Sequence, residues 1–264
     1  MKDIDPGRDV MWTPYSLGLL NKYCLDALIT IILCLSSFFT HAETITMLSI
    51  DYPPYTGRSL PQEGIITAIT RAAFQRMGYT VKIEYKPWAR AIQEVKKGSY
   101  AGILDVWHSE DRTAFLAYSK PLLLNVVGFY ARANQQVDVH DLSKLGSLTI
   151  GKVRGNLDPP NFAAAHLNTD EAVDDTNNLL KLAAGRVDLV LMDKRVADYI
   201  LQNQLKNLRD KLVWLDPPVY RFWLYIAFSK NSPNWERHLA DFNSGLALIQ
   251  ADGALERLKN ALDR

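Results

Sequence analysis

The stretch Gly98–Arg112, GSYAGILDVWHSEDR, decides the reading of the fold. A glycine closes a helix, an apolar strand follows over Ala101–Val106, and the strand runs into polar and aromatic residues that end on an arginine. In an open α/β sheet, ligands collect beyond the carboxyl ends of the strands. Asp105, Trp107, His108 and Arg112 fall at such an end. The Arg112 guanidinium is a planar fork of donors, fitted to gripping a carboxylate bidentately. The competing use of Arg112 is a surface ion pair with Glu110 or Asp111.

Upstream of this stretch, apolar and polar residues alternate over Thr44–Ile50, which predicts a strand. Asp51–Gly57 (DYPPYTG) is a rigid aromatic loop, because paired prolines suit neither strand nor helix. Ile65, Ile66, Ile69, Ala72, Ala73 and Met77 share one helical face, and Gly78 ends that helix. Val81, Ile83 and Tyr85 alternate as a second strand. Pro87 opens a helix over Trp88–Lys97 that Gly98 caps. The result is a βαβαβ series, and therefore a parallel sheet with helices on its faces.

Downstream, Leu122–Tyr130 is extended and apolar, and residues 138–145 read as a short helix and loop. A second α/β series follows. Its parts are a strand over Leu148–Val153 ending in Arg154-Gly155-Asn156, short helices at Asn161–Ala165 and Asn178–Ala184, and a buried strand over Val187–Met192. Asp193 stands at the end of that strand, before a helix over Lys194–Gln202, and a strand over Leu212–Leu215 comes next. Phe222–Ser229 is extended, Asn234–Gln250 is an amphipathic helix, and Asp252-Gly253 separates it from a last short helix. Two α/β series joined by extended crossings near 126–132 and 218–228 predict two lobes. Lobe 1 comprises 43–125 plus 222–264, and lobe 2 comprises 126–221. Strand ends from both lobes would face one cleft, closed by hinge motion.

The 264 residues carry a net charge of +1 and are 48% hydrophobic, with no basic cluster interleaved with aromatics. That balance speaks against a nucleic-acid partner. Ala27–Phe39 is an apolar run shorter than the roughly 20 residues of a spanning helix. It follows Lys22 and precedes Thr40-His41-Ala42, the layout of a signal peptide over 1–42 with cleavage after Ala42. The long segment before Lys22 is atypical, and Met11 is the alternative start. Both cysteines, Cys24 and Cys34, lie in this presequence, so the exported chain has no disulfide and no thiol nucleophile. Leu33 before Cys34 speaks against lipid attachment, and no pair of histidines has metal-ligand spacing. No metal or cofactor is expected, and neither a phosphate loop nor a nucleophile elbow is present.

The ordered motifs resemble those of the bacterial solute-binding proteins of family 3, the periplasmic receptors of amino-acid ABC importers. The matching pieces are DYPPYTG (51–57), PWARA (87–91), GSYAGI (98–103), EDR (110–112), YSKP (118–121), IGKVRGN (150–156), AGRVDLVLMD (184–193) and ADFNSGLALIQADG (240–253). The resemblance implies a two-lobed α/β fold of the type II periplasmic-binding-protein kind. It implies that Tyr52 packs on the ligand, with Trp88 on the ligand's other side. It gives the ligand's carboxylate to Arg112 and Asn156, and its amino group to Asp193. Tyr52 and Tyr55 also fit as loop packing, Trp88 as a core residue at a helix start, Asp193 as a helix N-cap, and Asn156 as a turn residue. Asp105 and Trp107 depart from the family's usual small residues. Asp105 would either neutralise Arg112 or recognise an amine on the ligand.

The reading is a periplasmic, monomeric binding protein that captures a small polar solute of the amino-acid or related zwitterion class and docks on the membrane permease of an ABC importer. Its candidate ligand-binding residues are Tyr52, Trp88, Asp105, Trp107, Arg112, Asn156 and Asp193. Two alternatives stand beside it. One is a cyclohexadienyl dehydratase-like enzyme with Asp105 or Asp193 as its general acid. The other is a ligand-sensing partner of a membrane receptor.

Overall fold

The computed structural model describes residues 42–260. The proposed signal peptide and both cysteines therefore lie outside the described residues. The described strands form one sheet in the order β2-β1-β3-β9-β5-β8-β6-β7, with β4 on β9. β1 (Glu43–Ser49) is flanked by β2 (Tyr79–Tyr85) and β3 (Gly102–Trp107), and all three are parallel. At the other end, β6 (Thr149–Val153) lies parallel to both β7 (Asn168–Ala172) and β8 (Leu189–Asp193). The two parallel groups are the expected α/β series.

Two long antiparallel strands join them. β5 (Leu123–Arg132) pairs with β9 (Leu212–Ser229) from Leu123↔Leu224 to Arg132↔Leu212. β9 also pairs with β3 (Gly102↔Phe228) and with β4 (Leu116–Tyr118), while β5 pairs with β8. The segments expected as a strand over Leu212–Leu215 and an extended run over Phe222–Ser229 are thus one strand, which continues through Asp216-Pro217-Pro218. The prolines suggest an interruption. They are accommodated where the β5–β9 register shifts, between Val127 and Phe129, so no ladder hydrogen bond is asked of them.

β7 was not legible in the sequence. Its residues, NTDEA, show no apolar alternation, and four of the five are not buried. It is the last strand of the sheet, so one edge and much of its surface face solvent and no apolar pattern is required.

Helices cover the sheet as the 3.6-residue periodicity demands. Ile66, Ile69, Ala73 and Phe74 of the helix Ile65–Arg76 are fully buried with Phe242 and Ile249 of the helix Trp235–Ala251. Burial of each such large apolar side chain stabilises by about 1.5–3 kcal/mol. The crossing requires Gly245, because a Cβ there would stand 2.0 Å from the Ala73 carbonyl oxygen. The helix Trp88–Lys96 buries Trp88, Ala91 and Val95 in a separate cluster with Leu48, Ile103 and Val106. Gly98 ends it at φ +79°, where a side chain would also meet the Asn231 carbonyl.

Candidate functional site

The carboxyl ends of β1, β3 and β6 and the segments that follow them converge on a cavity of about 240 Å³. Tyr52, Trp88, Asp105, Trp107, Arg112 and Asn156 all line it. Asp193 does not. It lines a smaller adjoining space of about 10 Å³, bounded also by Tyr52, Trp107, Asn156 and Asp175.

One wall is held by the backbone carbonyl of Gly155. The Trp88 indole N–H donates to it at 2.8 Å, and Nη2 of Arg112 donates to it at 3.0 Å. The Arg112 guanidinium also lies over the Trp88 ring, 5.2 Å from the centroid, in cation–π contact. This single acceptor, beyond β6, is thus shared by donors from the β1–β3 side of the sheet. Gly155 turns at φ +76°, a left-handed conformation that favours glycine. Arg112 makes no ion pair among the described residues, so neither Glu110 nor Asp111 neutralises it.

The opposite wall is acidic. β3 shifts register against β9 between Ile103 and Val106, and Asp105 sits in this irregularity at φ +60°. Its Oδ2 accepts from Thr56 Oγ1 at 2.6 Å and Ser49 Oγ at 3.2 Å, while its buried Oδ1 has no partner. Asp105 is therefore held by hydroxyls and does not pair with Arg112. Trp107 lies flat on Phe222, with ring centroids 4.3 Å apart and planes at 5°. Tyr52 stacks on Tyr55, and its hydroxyl accepts from Asn125 Nδ2 at 3.3 Å.

Asp193 is a helix cap and a buried carboxyl. Oδ1 accepts from the Val196 N–H at 2.9 Å, which caps the helix Lys194–Asn203. The Val126 N–H donates to Oδ2 at 3.2 Å, and the Tyr55 hydroxyl donates to Oδ1 at 3.3 Å. Asn156 makes no side-chain hydrogen bond to another described residue, and its N–H donates to the Val153 carbonyl in a turn. Arg90 is a solvated helix residue paired with Glu94.

The model of the bacterial extracellular solute-binding proteins, family 3, matches residues 45–261. The chain belongs to that family. No curated protein sequence matches the chain. Among solved structures, a histidine kinase sensor domain with similarity to periplasmic binding proteins is similar at a TM-score of 0.75 and 22% identity, covering 84% of this chain and 96% of that one. The substrate-binding protein of an amino acid ABC transporter is similar at 0.70 and 15%, covering 83% and 98%. AncCDT-1, an ancestral amino-acid-binding protein and precursor of cyclohexadienyl dehydratase, is similar at 0.69 and 16%, covering 84% and 96%. These likenesses establish a shared fold, the type II periplasmic-binding-protein-like architecture.

In this family 3 protein the site is electrostatically unusual. Burial pushes the Asp105 carboxyl up to about 7, against the opposing hydrogen bonds from Thr56 and Ser49. Burial likewise pushes Asp193 up to about 6, opposed first by its bond from the Val196 N–H. Asp175, which the sequence reading did not single out, is pushed up to about 7 by burial and then by the neighbouring Asp193 and Asp174 charges. It stands just beyond β7, and its importance was hidden because that strand was hidden. Desolvation lowers the Arg112 pKa, which marks a cation withdrawn from water. Two other cations line the cavity but are already matched. Arg58 donates to the Tyr85 carbonyl and faces Asp51, and Lys86 pairs with Glu94 and donates to Tyr100. No described helix is long and apolar enough to cross a membrane.

Proposed function

We propose that this family 3 protein is an exported receptor that captures a small zwitterionic solute, of the amino-acid class, between two lobes. The observation that carries the reading is Arg112. It is a partly desolvated guanidinium with no carboxylate partner among the described residues, on a cavity lined also by the carboxyls of Asp105, Asp174 and Asp175. A ligand carboxylate would complete it bidentately, and an ammonium group would meet the acidic wall. Tyr52, Trp88 and Trp107 supply apolar faces between these poles, and Asn156 adds an unpartnered amide.

Lobe 1 would comprise 43–125 plus 222–264 and lobe 2 would comprise 126–221, hinged where β5 and β9 cross. The bonds from Trp88 and Arg112 to the Gly155 carbonyl span these lobes and support a closed form. Closure would present both lobes together to an ABC permease. The sensor reading shares the same capture step and differs only in the partner that reads closure. It is favoured by the likeness to a histidine kinase sensor domain.

The test is a thermal-shift screen of the purified protein against the twenty amino acids, polyamines and small carboxylates. A ligand that binds only the folded form raises the unfolding midpoint by mass action. A dose-dependent rise with one or more amino acids is expected. A protein that responds to none of them, yet converts prephenate to phenylpyruvate, would instead be a dehydratase.

A further inference from the structure

Three groups facing the cavity have charge or lone pairs that the protein leaves unmatched. Arg112 pairs with no carboxylate among the described residues and bonds only to the Gly155 carbonyl. The half-buried Asp175 carboxylate lines the cavity with no hydrogen-bond or ion-pair partner among the described residues, although it is the first residue of the helix Asp175–Ala183. Its neighbour Asp174 is satisfied, because its side chain accepts from the Asn177 N–H at 2.7 Å and caps that helix. Asp105 uses one oxygen for Thr56 and Ser49 and leaves the other buried without a donor. A buried acceptor without a donor costs about 1–3 kcal/mol, more when charged. Asp105 Oδ1 is such an acceptor, and together with the cation and the half-buried carboxylate on the same cavity it calls for an explanation in what fills it.

The acidic groups form two separate poles. Asp175 and Asp193, beyond β7 and β8, border the same small space, and the Asp193 charge adds to burial in raising the Asp175 pKa. Asp105 lies beyond β3, and its environment is set by burial and by two hydroxyls, with no second carboxyl contributing. Tyr52 lines both the cavity with Asp105 and Asp175 and the adjoining space with Asp175 and Asp193. Of the remaining cations of the lining, Lys86 is paired with Glu94, and Arg58 is exposed, donates to the Tyr85 carbonyl and lies 3.8 Å from Asp51.

We propose that the captured solute is a diamino monocarboxylic acid, with its carboxylate on Arg112 and its two cationic nitrogens divided between the Asp175–Asp193 pole and Asp105. This inference rests on the amino-acid reading above and specifies it. A neutral side chain would leave one acidic pole buried and unpaired. Sites built to hydrogen-bond a substrate group reject analogues that lack it, because their own polar atoms are then stranded. Asp105 and Asp175 are thus the specificity-determining residues.

Isothermal calorimetry of the purified protein tests this with L-lysine and L-ornithine against L-norleucine and L-norvaline, which keep the carbon skeletons and lose the second amine. 1,5-Diaminopentane, which lacks the carboxylate, completes the set. L-lysine or L-ornithine is expected to bind at least about 10- to 100-fold more tightly than its deaminated analogue, the worth of one bond to a charged group. Asp105→Asn and Asp175→Asn are each expected to weaken the diamino acid by a similar factor. Melting of the ligand-free variants checks that they fold. If a neutral amino acid binds as tightly as lysine and ornithine, the inference fails while the amino-acid reading survives. If no amino acid binds at all, both fail. Tight binding of the diamine alone would remove Arg112 from recognition and overturn the three-pole assignment.

Discussion

Asp105→Asn should make the ligand-free protein more stable at pH 8 and lose that advantage near pH 4. A carboxyl whose pKa rises on folding holds its proton more tightly in the folded chain. Ionising it therefore opposes folding, and stability falls as pH climbs from the ordinary 3.8 through about 7. The cost is absent below about pH 4 and complete above about pH 7. At 1.36 kcal/mol per tenfold in proton affinity, that interval amounts to an upper figure on the order of 4 kcal/mol. Asparagine is nearly isosteric, tolerates the φ of +60°, and can still accept from Thr56 Oγ1 through its carbonyl oxygen. Its amide N–H groups would be buried where Oδ1 now lies without a partner, which costs about 1–3 kcal/mol. The net gain is about 2 kcal/mol, or about 4–8 °C in the melting midpoint for a chain of this size. Differential scanning calorimetry of parent and variant at pH 4, 6 and 8 reads it directly. A variant that melts below its parent at pH 8, or a gap that does not shrink with falling pH, would refute the claim that Asp105 is an uncompensated buried carboxyl.

Other perturbations read other parts of the site. Arg112→Met keeps an apolar stem against Trp88 and removes the donors. Calorimetry with the solute found by screening should show a loss of about 30-fold or more, corresponding to 2 kcal/mol or above for a desolvated charge pair, while the ligand-free midpoint moves little. Trp88→Phe deletes the 2.8 Å donor to the Gly155 carbonyl and should cost about 1 kcal/mol in urea unfolding. Gly245→Ala drives a Cβ into the Ala73 carbonyl oxygen and should lower the urea midpoint by the equivalent of about 1–3 kcal/mol. Gly146→Ala, where nothing lies within 4 Å, should be close to neutral in the same assay.

Local order was legible because it is locally encoded. Apolar periodicity placed the helices at 65–76, 88–96 and 235–251 to within a residue or two, and Gly78 and Gly98 marked helix ends at φ +80° and +79°. The alternation of βα units predicted the two parallel strand groups, and the extended crossings fell on β5 and β9, whose pairing and the continuity of β9 the sequence did not show. β7 escaped because an exposed edge strand has no apolar pattern to show. Asp175 escaped with it, since a site residue is recognised by standing at a strand's end.

The sequence by itself determined the α/β class, the order of the elements, the family resemblance and the residue types able to hold a zwitterion. Tertiary structure alone decided how those residues are used. Asp105 meets Thr56 across 49 positions, Tyr55 meets Asp193 across 138, and Trp88 meets Gly155 across 67. No local pattern encodes such pairings, because they arise only when distant strand ends are brought to one cavity. The reason is physical. Periodicity and capping are set by neighbours a few residues away, whereas desolvation and unmatched charge depend on everything the fold packs around a group. Whether Asp105 neutralises Arg112 was therefore undecidable along the chain. It was answered by two hydroxyls, those of Thr56 and Ser49, that hold the carboxylate elsewhere.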